Sequence, residues 1–163
     1  MSSYKLKIGL DYHGVIDKNT NYFSGLCKCA RKRGHSIYII TGGPISTVKS
    51  QLKYADIQYD FIFAISDYYF ALDKIEQLPN GSLNVPPHLW NIAKAEFCRR
   101  NHINLHIDDG EDYLHWFSTP FCLYNNDDNV CYLSPGVKIK FDYPYDKVLD
   151  KIERIVFNLN SVC

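Results

Sequence analysis

The sequence predicts a three-layer α/β fold, in which helices cover both faces of a mostly parallel five-stranded sheet. Short apolar runs of strand length alternate along the chain with segments whose apolar residues recur at helical spacing. Strands that alternate with helices are joined by right-handed crossovers, which produce a parallel sheet. Because 163 residues is the size of one ordinary domain, we expect a single domain over residues 1–163.

The first half of the chain contains three of the predicted strands. Their residues alternate in polarity or are β-branched, aromatic and apolar, and they are expected at 5–10, 35–40 and 59–66. Helices are predicted between them at 22–32 and 45–54. Gly34 supplies a stop for the first helix, and Pro44 suits the first turn of the second.

The second half supplies the remaining two strands, at 104–109 and 120–125, and an amphipathic helix at 145–159. A further helix is predicted at 89–100, and residues 137–141 have the composition of a short edge strand. Residues 67–89 include "LPNGSLNVPP", whose proline and glycine content excludes regular structure through its centre. We expect a long loop or a small lid there.

Charge and composition exclude several function classes. Eighteen basic and eighteen acidic residues give a formal net charge of zero, so no strong nucleic-acid footprint is expected. No apolar run approaches 18 residues and the first residues contain no apolar signal core, which favours a cytoplasmic protein without membrane contact. The oligomeric state stays open. In that compartment the cysteines are expected to be reduced thiols; they are Cys27, Cys29, Cys98, Cys122, Cys131 and Cys163.

Chemically active side chains follow three of the predicted strands. Asp11 ends the first strand, Thr41 follows the second, and Asp108 and Asp109 end the fourth, while Lys94 lies on the preceding helix. In open α/β sheets, ligands bind beyond the carboxyl ends of the strands. Taken singly, each has an ordinary explanation: the aspartates and Thr41 as caps of turns or helices, and Lys94 as a solvated helix residue.

Together these stretches resemble the haloacid dehalogenase (HAD) superfamily of phosphohydrolases. The first family motif, a strand followed by D-x-D-G-T or D-x-D-G-V, stands here as "IGLDYHGV", and the second, a strand ending in Thr or Ser, as "YIITGG". The third, a helical lysine, fits "NIAKAEF", and the fourth, a strand ending in an acidic pair, fits "LHIDD". The resemblance covers residues 8–109 and implies a HAD-like fold.

The resemblance implies a Mg²⁺-dependent phosphatase that works through an aspartyl-phosphate intermediate. Asp11 would be the nucleophile. Mg²⁺ would be held by Asp11, the main-chain carbonyl of His13, and Asp108 or Asp109, because Mg²⁺ prefers hard oxygen ligands.

The same resemblance assigns the phosphate-binding groups. Thr41 and the amides of Gly42 and Gly43 would bind the phosphoryl oxygens, helped by the helix N-terminus behind them. Lys94 would balance the carboxylates, and Asp112 would assist the metal indirectly.

His13 departs from the family pattern, because it replaces the second aspartate that serves as general acid and base. An imidazole can take that role near neutral pH, so His13 is expected to be a catalytic residue. The departure also leaves open a catalytically silent or altered module that binds a phosphorylated ligand or partner. A receiver-like phosphoacceptor also uses Asp, Thr and Lys, but its acidic pair belongs near the first strand rather than the fourth.

The spacing of the motifs bears on the substrate. About thirty residues separate Asp11 from Thr41, which leaves no room for a large cap domain. Family members without a cap act on large substrates, and "IDDGEDYL" resembles the fourth motif of small deoxynucleotidases. The expected substrate is therefore a nucleotide, another phosphorylated small molecule or a phosphorylated macromolecule end.

Overall fold

A computed structural model of the chain describes residues 5–133 and 136–160. The strands are β1 (Lys7–Leu10), β2 (Ser36–Thr41), β3 (Phe61–Ala64), β4 (Leu105–Asp108), β5 (Phe121–Asn125), β6 (Val130–Leu133) and β7 (Val137–Lys140). The α-helices are α1 (Thr20–Lys32), α2 (Ile45–Tyr54), α3 (Ile65–Ala71), α4 (Pro87–Arg100) and α5 (Tyr145–Asn160). Two short 3₁₀ helices, Ile16–Lys18 and Glu111–Trp116, follow β1 and β4.

The strands form one seven-stranded sheet in the order β3-β2-β1-β4-β5-β6-β7. The first five strands are parallel to one another, whereas β6 and β7 are added in antiparallel orientation. The predicted α/β class with a mostly parallel sheet is confirmed, but the number of five strands is wrong. The missed strand β6 has only four residues and directly follows the polar stretch "NNDDN", which gives little periodicity to recognise.

The chain leaves β1 for β2 on one side and later returns to β4 on the other side of β1. Strand order therefore reverses between β1 and β4, and such a reversal opens a crevice at the carboxyl ends of the two strands. This topology brings the residues after β1 and β4 together although they are far apart in sequence.

Helices cover both faces of the sheet, as the three-layer prediction requires. One core packs α1, α2 and α5 against β1, β2 and β4 and includes Phe23, Val48 and Ile152. A second core, on the opposite face, packs α3 and α4 against β2 and β3 and includes Ile40 and Ala93.

The segment between β3 and α4 is more regular than residues 67–89 were expected to be. Residues 67–71 complete α3. Ile65 and Tyr69 are four positions apart and therefore lie on the same face of this helix, which is buried against the second core. Residues 87–89 begin α4, with Pro87 in its first turn. Between these helices the chain forms a small excursion over residues 72–86, closed by an isolated antiparallel bridge between Gln77 and Leu83.

The prediction of reduced thiols is wrong for one pair. Cys122 and Cys131 form a disulfide that joins β5 to β6. The antiparallel pairing of these strands brings the two Cα atoms to 5.5 Å, a separation that a disulfide spans. Cys27, Cys29 and Cys98 are free thiols, and Cys163 lies outside the described residues.

None of the helices within the described ranges is both long and apolar enough to cross a membrane.

Candidate active site at the carboxyl ends of the central strands

Asp11 and Asp108 are brought side by side by the two central strands. β1 and β4 pair in parallel with Leu10 opposite Ile107, and the amide of Asp11 donates to the carbonyl of Ile107 at 2.9 Å. The ladder thus extends one residue beyond β1. Both carboxylates are buried.

Lys94 joins the two carboxylates from α4. Its Nζ lies 2.8 Å from Asp11 Oδ2 and 2.7 Å from Asp108 Oδ2. The Lys94 side chain is 2% exposed and the Asp108 side chain is fully buried. A buried ammonium between two carboxylates is not a solvated surface lysine, so the simple explanation of Lys94 does not hold.

Backbone amides fix the other oxygen of each carboxylate. The amide of Tyr12 donates to Asp11 Oδ1 at 2.7 Å, and the amide of Gly110 donates to Asp108 Oδ1 at 2.9 Å. Each carboxylate is therefore oriented on both sides, which pre-organises the pair.

The surroundings shift the pKa values of Asp11 and Asp108 in opposite directions. Burial raises the pKa of Asp108, but Lys94 and His106 oppose this more strongly and hold the pKa of that carboxyl well below its usual range. Burial raises the pKa of Asp11, and the Asp108 carboxylate adds to the rise although Lys94 opposes it. For Lys94, burial lowers the pKa, but the two carboxylates outweigh it and keep the pKa above its usual range. Lys94 and Asp108 thus form a firmly charged pair.

A third carboxylate, that of Asp109, completes an acidic group. One oxygen each of Asp11, Asp108 and Asp109 lies within 4.8 Å of the others. Burial, and then the charge of Asp108, raises the pKa of Asp109 above its ordinary value. Three carboxylates face one ammonium, Lys94, so the group carries an excess of negative charge when ionised. Its oxygen donors and its charge fit a hard divalent cation.

Gly14 makes room for Asp109 in this group. Its φ is +82°, and a Cβ at this position would overlap the Asp109 carboxylate. The turn after β1 therefore needs glycine both for its backbone conformation and for the approach of Asp109. The Asn126 side-chain amide, in the β5–β6 turn, donates to the Gly14 carbonyl at 3.3 Å.

The loop after β2 adjoins the turn after β1 and helix α4. The Thr41 hydroxyl is buried and has no hydrogen-bond partner among residues 5–133 and 136–160. A Cβ on Gly42 would overlap the Trp90 ring, one helical turn before Lys94, and a Cβ on Gly43 would lie 3.1 Å from His13 Nε2. The loop is thus enclosed by the turn after β1 on one side and by α4 on the other.

The N-terminus of α2 was expected to help the loop bind phosphoryl oxygens, but a side chain of the protein already bonds to one of its amides. Asp67 Oδ2 accepts hydrogen bonds from the Ile45 amide and from the Ser66 hydroxyl, both at 3.0 Å. One of the free amides of the helix is therefore satisfied from within the protein.

His13 is separate from the buried carboxylate network. Its side chain is half exposed, its Nδ1 lies 3.5 Å from Asp17 Oδ2, and its ring packs edge-on against Tyr12 at 5.0 Å. The His13 side chain is not among the grouped metal-binding atoms of the described residues. Asp112 is exposed in the second 3₁₀ helix and does not belong to that group either.

His106 and Tyr113 also belong to this network, although the sequence did not point to them. His106 Nε2 lies 3.0 Å from Asp108 Oδ2, and its buried ring stacks on Phe117. Strand alternation was the available signal, because His106 precedes Asp108 by two residues and so shares its face. Tyr113 accepts a hydrogen bond from Trp90 Nε1 at 2.7 Å, and its ring centroid lies 4.9 Å from Lys94 Nζ. No local pattern singles out Tyr113 among the thirteen tyrosines.

No family model matches this chain, and no curated protein matches it either. A solved structure that does match is the crystal structure of a glycosyltransferase from Rickettsia africae ESF-5, at 15% identity and a TM-score of 0.42. The match covers 74% of this chain and 31% of the glycosyltransferase chain, so this chain spans less than a third of that protein. A likeness of this degree carries no argument about activity.

Proposed function

We propose that the chain is a HAD-like, Mg²⁺-dependent phosphomonoester hydrolase in which Asp11 is the nucleophile. The observation that carries the proposal is the buried bridge of Lys94 between Asp11 and Asp108, with Asp109 beside them. The bridge joins residues from three of the four stretches that resemble the family motifs. It lies at the edge of the sheet where α/β proteins bind their ligands.

In the first step, an oxygen of Asp11 attacks the phosphorus atom. A bond from Asp11 to phosphorus forms while the bond from phosphorus to the ester oxygen breaks, and His13 gives the departing oxygen a proton. In the second step, water attacks the phosphorus of the aspartyl-phosphate and His13 takes up the proton of that water. The products are an alcohol, inorganic phosphate and free Asp11.

Other residues of this chain hold the phosphoryl group. The Thr41 hydroxyl is buried and has no hydrogen-bond partner within the described part of the chain, so it can donate to a phosphoryl oxygen. The amides of Gly42 and Gly43 lie in the same loop. Lys94 keeps Asp11 in place through its hydrogen bond to Oδ2.

Asp11, Asp108 and Asp109, with the carbonyl of His13, would hold Mg²⁺. When bound, the ion neutralises the charge repulsion between a carboxylate nucleophile and a phosphate dianion. The excess of carboxylates over ammonium groups supports this assignment.

The position of the His13 side chain supports its proposed role as general acid and base. It reaches over Gly43, beside the loop that would hold the phosphoryl group, and Asp17 lies near its other ring nitrogen. A carboxylate beside Nδ1 orients an imidazole so that Nε2 faces the reaction.

The proposal is tested by hydrolysis of 4-nitrophenyl phosphate and of a panel of nucleoside monophosphates, with Mg²⁺ or with a chelator. We expect turnover that needs Mg²⁺ and falls at least a thousandfold in Asp11→Asn. Asp127→Asn is the matched control, because it removes an exposed carboxylate of the β5–β6 turn and should change nothing.

A catalytically silent module that binds a phosphorylated ligand is the second candidate, favoured by the histidine at position 13. Absence of Mg²⁺-dependent turnover, together with binding of inorganic phosphate that needs Thr41, would favour that module and contradict the hydrolase. Comparing His13→Asp with the wild type refines the result. A gain in rate would mean that His13 slows the enzyme, and a loss would mean that the imidazole has a catalytic task.

A further inference from the structure

A cavity of about 460 Å³ adjoins the loop after β2. Its lining includes Gly42 and Gly43, Phe70 of α3, Trp90 of α4, and Leu83 of the 72–86 excursion. The volume falls in the range of small-molecule sites. Gly42 and Gly43 belong to both the cavity and the proposed phosphate loop, so a ligand held by that loop would lie next to the cavity.

Each polar side chain that lines the cavity already donates a hydrogen bond within the protein. The Ser66 hydroxyl donates to Asp67, the Gln77 amide donates to the Gly81 carbonyl at 3.1 Å, and the Ser82 hydroxyl donates to Asn80. None of the lining residues carries a charge. The cavity therefore offers a ligand mainly aromatic and aliphatic surface.

The two rings of the cavity differ in how they are held. Trp90 is fixed by its hydrogen bond to Tyr113 and by its contact with Gly42, whereas Phe70 is 52% exposed. An exposed phenylalanine that lines an apolar cavity gains buried area when a flat apolar group enters.

We propose that this cavity binds the alcohol portion of the substrate and selects a phosphomonoester whose alcohol carries an uncharged aromatic ring. The inference rests on the proposed function, since the loop must hold the phosphoryl group. The assignment disfavours sugar phosphates, bisphosphates and phosphorylated macromolecule ends as substrates. Each of these would place charge or many hydroxyl groups in an apolar pocket.

The test compares two phosphonates, whose carbon–phosphorus bond resists hydrolysis, by calorimetric titration in the presence of Mg²⁺. Methylphosphonate probes the loop alone, and benzylphosphonate probes the loop and the cavity together. We expect benzylphosphonate to bind at least tenfold more tightly than methylphosphonate. In a Trp116→Phe background, benzylphosphonate should also change the fluorescence of Trp90.

Phe70→Ala should remove most of the benzylphosphonate advantage and leave methylphosphonate binding unchanged. Phe70→Leu, which keeps apolar volume without a ring, should fall between the two. The control is Tyr54→Ala, which removes a ring that is 96% exposed and lies outside the cavity.

The outcomes separate the two proposals. Equal binding of both phosphonates, or an advantage that Phe70→Ala leaves intact, overturns the cavity assignment while the phosphate site stands. If neither phosphonate binds, the phosphate site itself fails, and the cavity assignment fails with it.

Discussion

At the scale of single residues, the charge balance of the site depends on Lys94. In Lys94→Met, Asp11 and Asp108 would face each other without a cation in a buried site. Removing one partner of a buried ion pair costs about 3–5 kcal/mol. We expect a loss of this size in the free energy of unfolding, measured by urea denaturation in Mg²⁺-free buffer.

A triple variant gives the control for that measurement. Adding Asp11→Asn and Asp108→Asn to Lys94→Met removes both unpaired charges and keeps oxygen acceptors for the amides of Tyr12 and Gly110. Its stability should exceed that of Lys94→Met. A single variant as stable as the wild type would contradict the buried bridge.

His106 offers a second residue-scale prediction, because it holds Asp108 from within the strand. His106→Leu removes the hydrogen bond to Asp108, and losing a hydrogen bond to a charged group costs about 1.5–3 kcal/mol. His106→Gln keeps a donor and should lose less. Urea denaturation measures the stability of both variants, and Mg²⁺ titration of the folded proteins should show weaker binding in the leucine variant.

That prediction fails if the leucine and glutamine variants have the same stability and the same Mg²⁺ affinity. Such a result would mean that the contact does not orient Asp108.

The residues of the site were predictable to different degrees, and the reasons are physical. Asp11 and Asp108 end apolar strands, so their place at one edge of the sheet follows from strand polarity. Lys94 was predicted only through the family resemblance, because the local sequence does not distinguish a buried helical lysine from an exposed one. The contact of Tyr113 with Trp90 depends on how the second 3₁₀ helix packs against α4, which no sequence period encodes.

At the scale of elements, the turn after β1 depends on Gly14. In Gly14→Ala the positive φ strains the backbone, because alanine rarely adopts that conformation. The new Cβ also displaces the Asp109 carboxylate. Gly34→Ala is the matched control, because its φ of +88° is similar but its Cβ would meet only Lys5 side-chain atoms at 3.5 Å or more. We expect Gly14→Ala to lower both the stability and the Mg²⁺ affinity, and Gly34→Ala to lower the stability alone.

The difference between these two variants isolates the contact with Asp109. Unchanged Mg²⁺ affinity in a folded Gly14→Ala protein would remove Asp109 from the proposed metal site. The measurements are urea denaturation and calorimetric titration with Mg²⁺.

The elements themselves were predicted best where periodicity is strong. The predicted bounds of α2 match the structure, and α1 begins two residues earlier than expected, at Thr20. Prediction was weakest between β3 and α4, because α3 follows β3 without an intervening turn residue and its first residues continue the apolar run of the strand. Short elements contain too few positions to reveal a period.

At the scale of the whole molecule, the buried phenol of Tyr124 and the partly buried phenol of Tyr22 link stability to alkaline pH. Burial raises the pKa of Tyr124 to about 12, and burial likewise raises the pKa of Tyr22 above its usual range. The folded state therefore keeps these phenols neutral while the unfolded state ionises near pH 10. The free energy of unfolding should be unaffected by them below pH 10 and fall as the pH rises from 10 to 12.

Urea denaturation at a series of pH values measures this slope. Tyr124→Phe should make the slope shallower between pH 10 and 12, whereas Tyr54→Phe, which removes an exposed phenol, should not. An unchanged slope in Tyr124→Phe would contradict the role of burial.

The pairing of β1 with β4 has a consequence for how the molecule is made. The amide of Lys7 bonds to the side chain of Asn104 across a separation of 97 residues. Contacts this distant in sequence form late, because a long loop must close first. A nascent chain emerging from the ribosome therefore carries Asp11 long before its partners exist, and the capacity to bind a cation at this crevice is acquired only when the middle of the sheet closes.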